Sequence, residues 1–268
     1  MVLKGPAMSV FLFMLLLTIG FNVIITTTST SAFARWKFAA VGDIECKNAK
    51  KVAHTIEKYS HPVIVLLLGD LGYGESARCV KDAFPNGLPT VGNHDNEEDI
   101  LKVFNLRNPM YSHAVNEVTF LSLNSETKEN KEVKLIKHLI AQAKTSFIVP
   151  FSHIPCVTNP SAHHAEWKGC KSKLVPIFEH SGKVKLYVNG HNHGYQQCSI
   201  DDITFITAGT GGRKAYPWGN KIDDNCTNNI SGTPGYLEVT VEGSHSMNGR
   251  FITLKGTTDE DTNFSIHE

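Results

Sequence analysis

The sequence predicts an α/β fold: two packed sheets flanked by helices, in a single domain. Continuous apolar runs, each long enough for a strand buried on both faces, recur through the first two thirds of the chain. They alternate with segments of helical periodicity. From about residue 195 onward the pattern changes to short alternating segments, so strands dominate late. A third observation concerns where the runs stop. Five of them end in Gly or Ser followed at once by a side chain able to bind a metal: Gly42-Asp43, Gly69-Asp70, Gly92-Asn93-His94-Asp95, Ser152-His153 and Gly190-His191-Asn192-His193. In layered α/β folds, ligands collect just beyond the carboxyl ends of the strands.

In chain order, 36–41 reads as the first strand and 47–59 as a helix with Val52, Ala53 and Ile56 at helical spacing. The apolar run 63–68 is the second strand, followed by a short helix at 76–83 and a third strand at 88–91. The segment 97–104 reads as a helix whose acidic start suits the positive end of the helix dipole. Residues 111–115 and 118–124, separated by Asn116-Glu117, form a hairpin pattern. A further helix at 132–144 places Val133, Ile136, Ile140 and Ala143 on one face. Strands at 147–151 and 185–188 enclose a helix near 171–180. The late segments 195–199, 204–207, 235–241 and 250–254 suggest an antiparallel sheet, and 209–233, rich in Gly, Asn and Asp, reads as a loop.

The 268 residues carry 26 basic and 26 acidic side chains. That balance argues against a dedicated nucleic-acid partner, which needs a basic surplus, and is compatible with a small phosphorylated substrate. Residues 1–34 resemble a leader: Lys4, an apolar run over 8–25, and Ala32-Phe33-Ala34 as an A-x-A cleavage site. They are either a removed signal peptide or an amino-terminal anchor through residues 4–26. Both readings place the domain at 35–268 in a secreted or extracytoplasmic location, with membrane contact only if the leader is retained. Cys46, Cys79, Cys156, Cys170, Cys198 and Cys226 are an even set suited to disulfides in an exported chain, with the pairing left open. Sequons begin at Asn225, Asn229 and Asn263, making the chain a glycoprotein candidate.

The strand-end residues describe a metal site. Two cations sharing one site need a bridging group that holds them roughly 3.5–4 Å apart, and a carboxylate does this with its two oxygens; Asp70 is the bridge. His191 and His193 are two apart, which in an extended segment points both rings to one face.

The order Gly-Asp, Gly-Asp-x-x-Tyr, Gly-Asn-His-Asp, His and Gly-His-x-His, from Val41 to about Gly212, resembles the calcineurin-like metallophosphoesterase superfamily. Tyr73, three residues after Asp70, makes the resemblance closest to the purple acid phosphatases. It implies a four-layer α-β-β-α sandwich of two mixed sheets and a binuclear centre that hydrolyses phosphomonoesters. Asp43, Tyr73 and His193 would bind ferric iron; Asn93, His153 and His191 would bind a divalent zinc, manganese or iron ion; Asp70 would bridge. His94 resembles the family's non-ligand histidine, and one of His163 and His164 would contact phosphate oxygens or protonate the leaving alkoxide. Arg213 and Lys214, in a glycine-rich segment, are expected to meet substrate anions or to remain solvated.

Several positions depart from the pattern. Glu45 stands where purple acid phosphatases have Gly and the wider superfamily a His ligand; it either adds a carboxylate to the first metal or faces solvent. Asp95 replaces a usual Glu, and Val149 lies one residue further from His153 than is usual. A phosphodiesterase or nucleotide hydrolase on the same site is the enzymatic alternative. A metal-stapled binding protein is the alternative from another class.

Overall fold

The computed structural model describes residues 35–126, 131–159, 166–218 and 225–268; the expected leader over 1–34 lies outside them. Strand β1 (Arg35–Val41) shows why the early runs are apolar throughout. Phe38 and Ala40 enter the core between two sheets, whereas Ala39 and Val41 face a helical layer on the other side. Alternate residues of a strand point to opposite faces, so a strand covered on both sides has no polar positions to spare.

Helix α1 (Cys46–Ser60) follows, burying Ala49, Val52 and Ile56 on its sheet-facing side and ending where His61 takes a left-handed conformation. Then come β2 (Ile64–Leu67), α2 (Arg78–Ala83), β3 (Gly87–Pro89) and α3 (Glu97–Phe104). Asn96 caps α3 by accepting from the Asp99 N–H at 3.0 Å. The hairpin β4 (Tyr111–Val115) and β5 (Val118–Ser122) turns through Asn116 at φ 47°. Helix α4 (Lys131–Gln142) and β6 (Phe147–Ser152) come next. The helix expected near 171–180 is in two parts: a π-helical turn, Cys170–Leu174, runs into α5 (Val175–Ser181). Pro176 lacks the N–H an α-helix needs there, and the Val175 N–H reaches back five residues to the Cys170 carbonyl.

The remaining strands are β7 (Leu186–Asn189), β8 (Tyr195–Ile200), β9 (Ile203–Ala208), β10 (Cys226–Ile230), β11 (Gly235–Glu242), β12 (Ser246–Thr253) and β13 (Phe264–His267). They do not form one antiparallel sheet. Strands β11, β12 and β13 extend the first sheet, ordered β13-β12-β11-β1-β2-β3, while β8, β9 and β10 join the second, ordered β10-β8-β9-β7-β6-β5-β4. Strand β10 lies inside the segment read as a loop. Its polar sequence carries no strand pattern, and its pairing is fixed by the Cys198–Cys226 disulfide directly across the β8–β10 ladder.

Both sheets are mixed. In the first, β1, β2 and β3 run parallel; in the second, β5, β6, β7 and β9 do. Between the sheets lies one apolar layer including Phe38, Leu66, Phe120, Phe151, Val188 and Leu237. The outer face of the first sheet packs on α1, α2 and α3, and that of the second on α4 and α5. The result is a four-layer α-β-β-α sandwich. All six cysteines are paired, Cys46–Cys79, Cys156–Cys170 and Cys198–Cys226. Among the described residues, no helix is long and apolar enough to cross a membrane.

Candidate metal centre

The two groups of parallel strands deliver their carboxyl ends to the same edge of the sandwich. The Gly42 N–H, at the end of β1, donates across to the Ala208 carbonyl of β9 at 2.9 Å. A Cβ on Gly42 would lie 3.0 Å from the Leu68 Cβ, and one on Gly190 would lie 2.6 Å from the Leu68 carbonyl oxygen. Only glycine permits this approach. Just past these glycines the chain turns sharply. Asp43, Asp70, Tyr73 and His191 all adopt positive φ, between 51° and 68°. Non-glycine residues held there are uncommon and gather at functional sites.

The turns aim two groups of donors at each other. In one, the Tyr73 hydroxyl lies 2.8 Å from His193 Nε2 and donates to Asp43 Oδ1 at 3.2 Å, with His193 Nε2 also 3.2 Å from that oxygen. In the other, Asn93 Oδ1 lies 2.9 Å from both His153 Nε2 and His191 Nδ1, which are themselves 3.1 Å apart. Asp70 stands between the groups. Its Oδ1 lies 3.4 Å from His153 Nε2, and Asp43, Asp70 and His153 each offer an atom within 4.8 Å of the others. All three side chains are buried.

The histidines are oriented for ligation. His153 Nδ1 lies 2.8 Å from the Leu68 carbonyl and His193 Nδ1 lies 2.9 Å from the Lys214 carbonyl. Only an N–H can make those bonds, so each ring turns the lone pair of its Nε2 toward the centre, the outer-shell arrangement typical of metal-binding histidines. Beneath the 191–193 turn, Asn192 Nδ2 donates to Thr158 Oγ1 at 2.8 Å, and that hydroxyl donates to Gln196 Oε1 at 2.8 Å, all buried.

The donor chemistry fits a pair of hard or borderline cations. Two carboxylates, Asp43 and Asp70, are buried with no Lys or Arg salt bridge among the described residues, an expensive arrangement unless a cation compensates them. The set contains carboxylate, phenol, amide and imidazole and no thiolate, which suits iron, zinc or manganese. Without a cation, burial foremost and then the charges of Asp43 and Asp70 push the Tyr73 phenol well above its usual range. Burial alone would lower the His153 imidazole, but Asp70 and Asp43 outweigh it and hold the ring above its ordinary value.

The other expected site residues fall into four groups. His94 is exposed, stacked on the Tyr73 ring at 4.9 Å between centroids, and its backbone N–H donates to Asp70 Oδ1 at 2.9 Å. Its imidazole therefore faces solvent above the centre. Glu45 is paired to Arg213 and Lys47, and Arg213 lies over Tyr73. Lys214 contributes its carbonyl to His193 and has an exposed side chain. His163 and His164 lie outside the described residues.

Two contributors were not anticipated in these roles. Asp95 accepts the Leu71 N–H at 2.8 Å, the Gly72 N–H at 3.3 Å and the Gly92 N–H at 3.0 Å, clamping the Asp70 turn to the Asn93 turn. Burial and the neighbouring Asp70 push its carboxyl up to about 6. Tyr216 stacks on the His193 ring at 4.3 Å with a 16° interplanar angle. The Gly-Asn-His-Asp motif points to Asp95, but no sequence signal points to Tyr216.

Fold and donor set together define a layered α/β metalloprotein with its site at the strand ends. The chain belongs to the calcineurin-like phosphoesterase family, whose pattern matches residues 37–195, more than half of the sequence. Purple acid phosphatase 17 of Arabidopsis thaliana is 34% identical over 91 residues, which cover 33% of this chain and 24% of that protein. Purple acid phosphatase PPD1 from yellow lupin seeds shares the fold with a TM-score of 0.72 at 13% identity, over 88% of this chain and 54% of that one. GAP50, the anchor in the inner membrane complex of Plasmodium, does so with a TM-score of 0.69 at 15% identity, over 87% and 89% of the two chains. A dimetal phosphatase from Danio rerio gives 0.59 at 9% identity, over 87% and 98%. The matched stretch thus spans about a quarter of the Arabidopsis relative and about half of the lupin chain.

Proposed function

We propose that this protein is an exported phosphatase with a binuclear metal centre that hydrolyses phosphomonoesters, in the manner of the purple acid phosphatases. The observation that carries the reading is the paired donor set. Asp43, Tyr73 and His193 would hold one cation and Asn93, His153 and His191 the other, with Asp70 shared between them. The first cation is proposed as ferric iron, because a phenolate is a hard oxygen donor, and the second as a divalent zinc, manganese or iron ion. Such a pair neutralises phosphate charge and acidifies bound water.

The chain's own residues supply position and protons. Asp95 fixes the Asp70 turn against the Asn93 turn, and the carbonyls of Leu68 and Lys214 fix the rings of His153 and His193. His94, exposed beside Asn93, would stabilise the phosphate and assist proton transfer, and one of His163 and His164 would contact phosphate oxygens or protonate the leaving alkoxide. Phosphoryl transfer relies mostly on positioning and charge stabilisation, so no covalent phosphoenzyme is required. Export is supported by three disulfides, which persist in oxidising compartments, and by the leader-like residues 1–34.

The test is metal analysis of the full chain with a visible spectrum, alongside rates on an aryl monophosphate and a bis-aryl phosphate. The expected result is about two metals per chain, a charge-transfer colour lost in Tyr73→Phe, and a dominant monoester rate. Absence of metal after reconstitution overturns the centre, and a dominant diester rate overturns the monoesterase assignment.

A further inference from the structure

Arg213 and Glu45 belong to neither half of the donor set, yet they are built into its edge. The Arg213 guanidinium carbon lies 4.0 Å from the centroid of the Tyr73 ring, and its Nη1 donates to Glu45 Oε1. The second Glu45 oxygen takes Lys47 Nζ at 2.8 Å. Glu45 sits just before α1 at a positive φ of 61°, and its neighbour Cys46 is tied by a disulfide to Cys79, six residues beyond Tyr73. The same short segment reaches the rest of that half. The Arg213 N–H donates to the Asp43 carbonyl at 3.3 Å, the Lys214 carbonyl receives His193 Nδ1, and Tyr216 covers the His193 ring. Residues 213–216 therefore touch Asp43, Tyr73 and His193 together.

We propose that Glu45 and Arg213 form a lock on this half of the centre: Glu45 is an anchor rather than a metal ligand, and Arg213 is a positioning residue that clamps the Tyr73 ring. The inference rests on the metal-centre reading above. One carboxylate matched by two cations, Arg213 and Lys47, has no net negative charge left to offer a metal. A planar guanidinium can stack on an aromatic face and hydrogen-bond a carboxylate at its edge simultaneously, which an ammonium cannot. This gives residue 45 a purpose at the place where the wider superfamily puts a ligand: the chain spends the position on holding the phenol.

The experiment uses the full chain as wild type, Glu45→Gln, Arg213→Met, Arg213→Lys and the double variant Glu45→Gln/Arg213→Met. Metal retained per chain is read against a competing chelator. Each neutralising variant is expected to weaken retention of one of the two metals by about 10–100-fold, the usual effect of losing an outer-shell partner. The double variant should be no worse than either single one, since both open the same lock. Arg213→Lys, which keeps charge and stem and so guards against a folding loss, should fail to rescue. If Glu45→Gln loses metal and Arg213→Met does not, Glu45 is a ligand and the proposal is overturned; unchanged retention in both overturns it as well. A wild type that takes up no metal overturns the metal-centre reading instead. The lock is then decided on metal-free protein by tryptic cleavage after Arg213, mapped by mass spectrometry. A rise of about tenfold in Glu45→Gln supports it and an unchanged rate refutes it.

Discussion

Gly92 is the position where the structure makes its sharpest demand. A Cβ built there would lie 2.2 Å from both the backbone nitrogen and Oδ1 of Asp70. Ordinary contact begins at 3.4 Å, so Gly92→Ala requires the Asp70 turn to move by about 1.2 Å. The backbone beside that nitrogen is held by Asp95, which accepts the Leu71 N–H, and the Oδ1 is held by the His94 N–H, so neither obstacle yields freely. Overpacking of this kind costs about 1–3 kcal/mol in stability. The functional cost is larger, because displacing a catalytic constellation by about 1 Å loses roughly 100-fold in rate. Gly182→Ala is the control: Gly182 closes α5 at φ 67° with nothing within 4 Å of its Cβ, so it should lose about 1 kcal/mol of stability and no activity. The assay is thermal melting, metal content and kcat on an aryl monophosphate for both variants. Wild-type kcat and metal content in Gly92→Ala would refute the argument that close packing fixes Asp70.

Metal uptake should release a proton from Tyr73, because burial and Asp43 keep the metal-free phenol protonated and a phenolate ligand must lose it. Proton release measured with a pH indicator should fall by about one per chain in Tyr73→Phe, and an equal count in both proteins contradicts phenolate ligation. The Cys46–Cys79 disulfide closes a 33-residue separation, so replacing both cysteines with serine should cost about 3–4 kcal/mol in chemical denaturation. A loss below about 1 kcal/mol would show that the unfolded chain gains little freedom. For Glu238, burial works to raise the carboxyl, but bonding to Ser60, Lys37 and Arg250 outweighs it and lowers its pKa below the ordinary 4.5. Its contribution is therefore present above the unfolded value near 4.5 and lost as pH falls through the depressed folded value. Glu238→Gln should melt with a shallower acid dependence than wild type; parallel acid profiles count against the assignment.

The legible parts of this protein are the local ones. Each strand bearing a donor announces itself as an apolar run, and the donor follows within a few residues, so Asp43, Asp70, Asn93, His153, His191 and His193 are readable without knowing the topology. Tyr73 is readable from its fixed distance to Asp70. What stays hidden depends on residues far apart in sequence. Arg213 meets Tyr73 across the whole domain, Glu45 finds its partner 168 positions away, and the cysteine pairs form only once β8 lies beside β10 and α1 beside α2. Strand β10 is invisible for the same reason: a polar edge segment is made a strand by its neighbour. The late strands divide between the two sheets because residue pattern marks a strand but not which sheet it joins; β11 is buried along nearly its whole length beside β1.

Each donor group draws on both sheets. Asp43, Asp70, Tyr73 and Asn93 follow strands of the first sheet, whereas His153, His191 and His193 follow strands of the second. How closely the donors within each group meet therefore depends on the thickness of the apolar layer between the sheets, where Phe38 and Phe120 meet edge to face at 5.0 Å. A close-packed interior transmits a change of one methylene as a shift of its walls. Substitutions in that layer, with no contact to any donor, would widen or narrow the gap across which each group's donors face one another. In this architecture, core volume governs how tightly the donors of each group converge, and an engineer seeking to reshape the site has reason to begin among the phenylalanines.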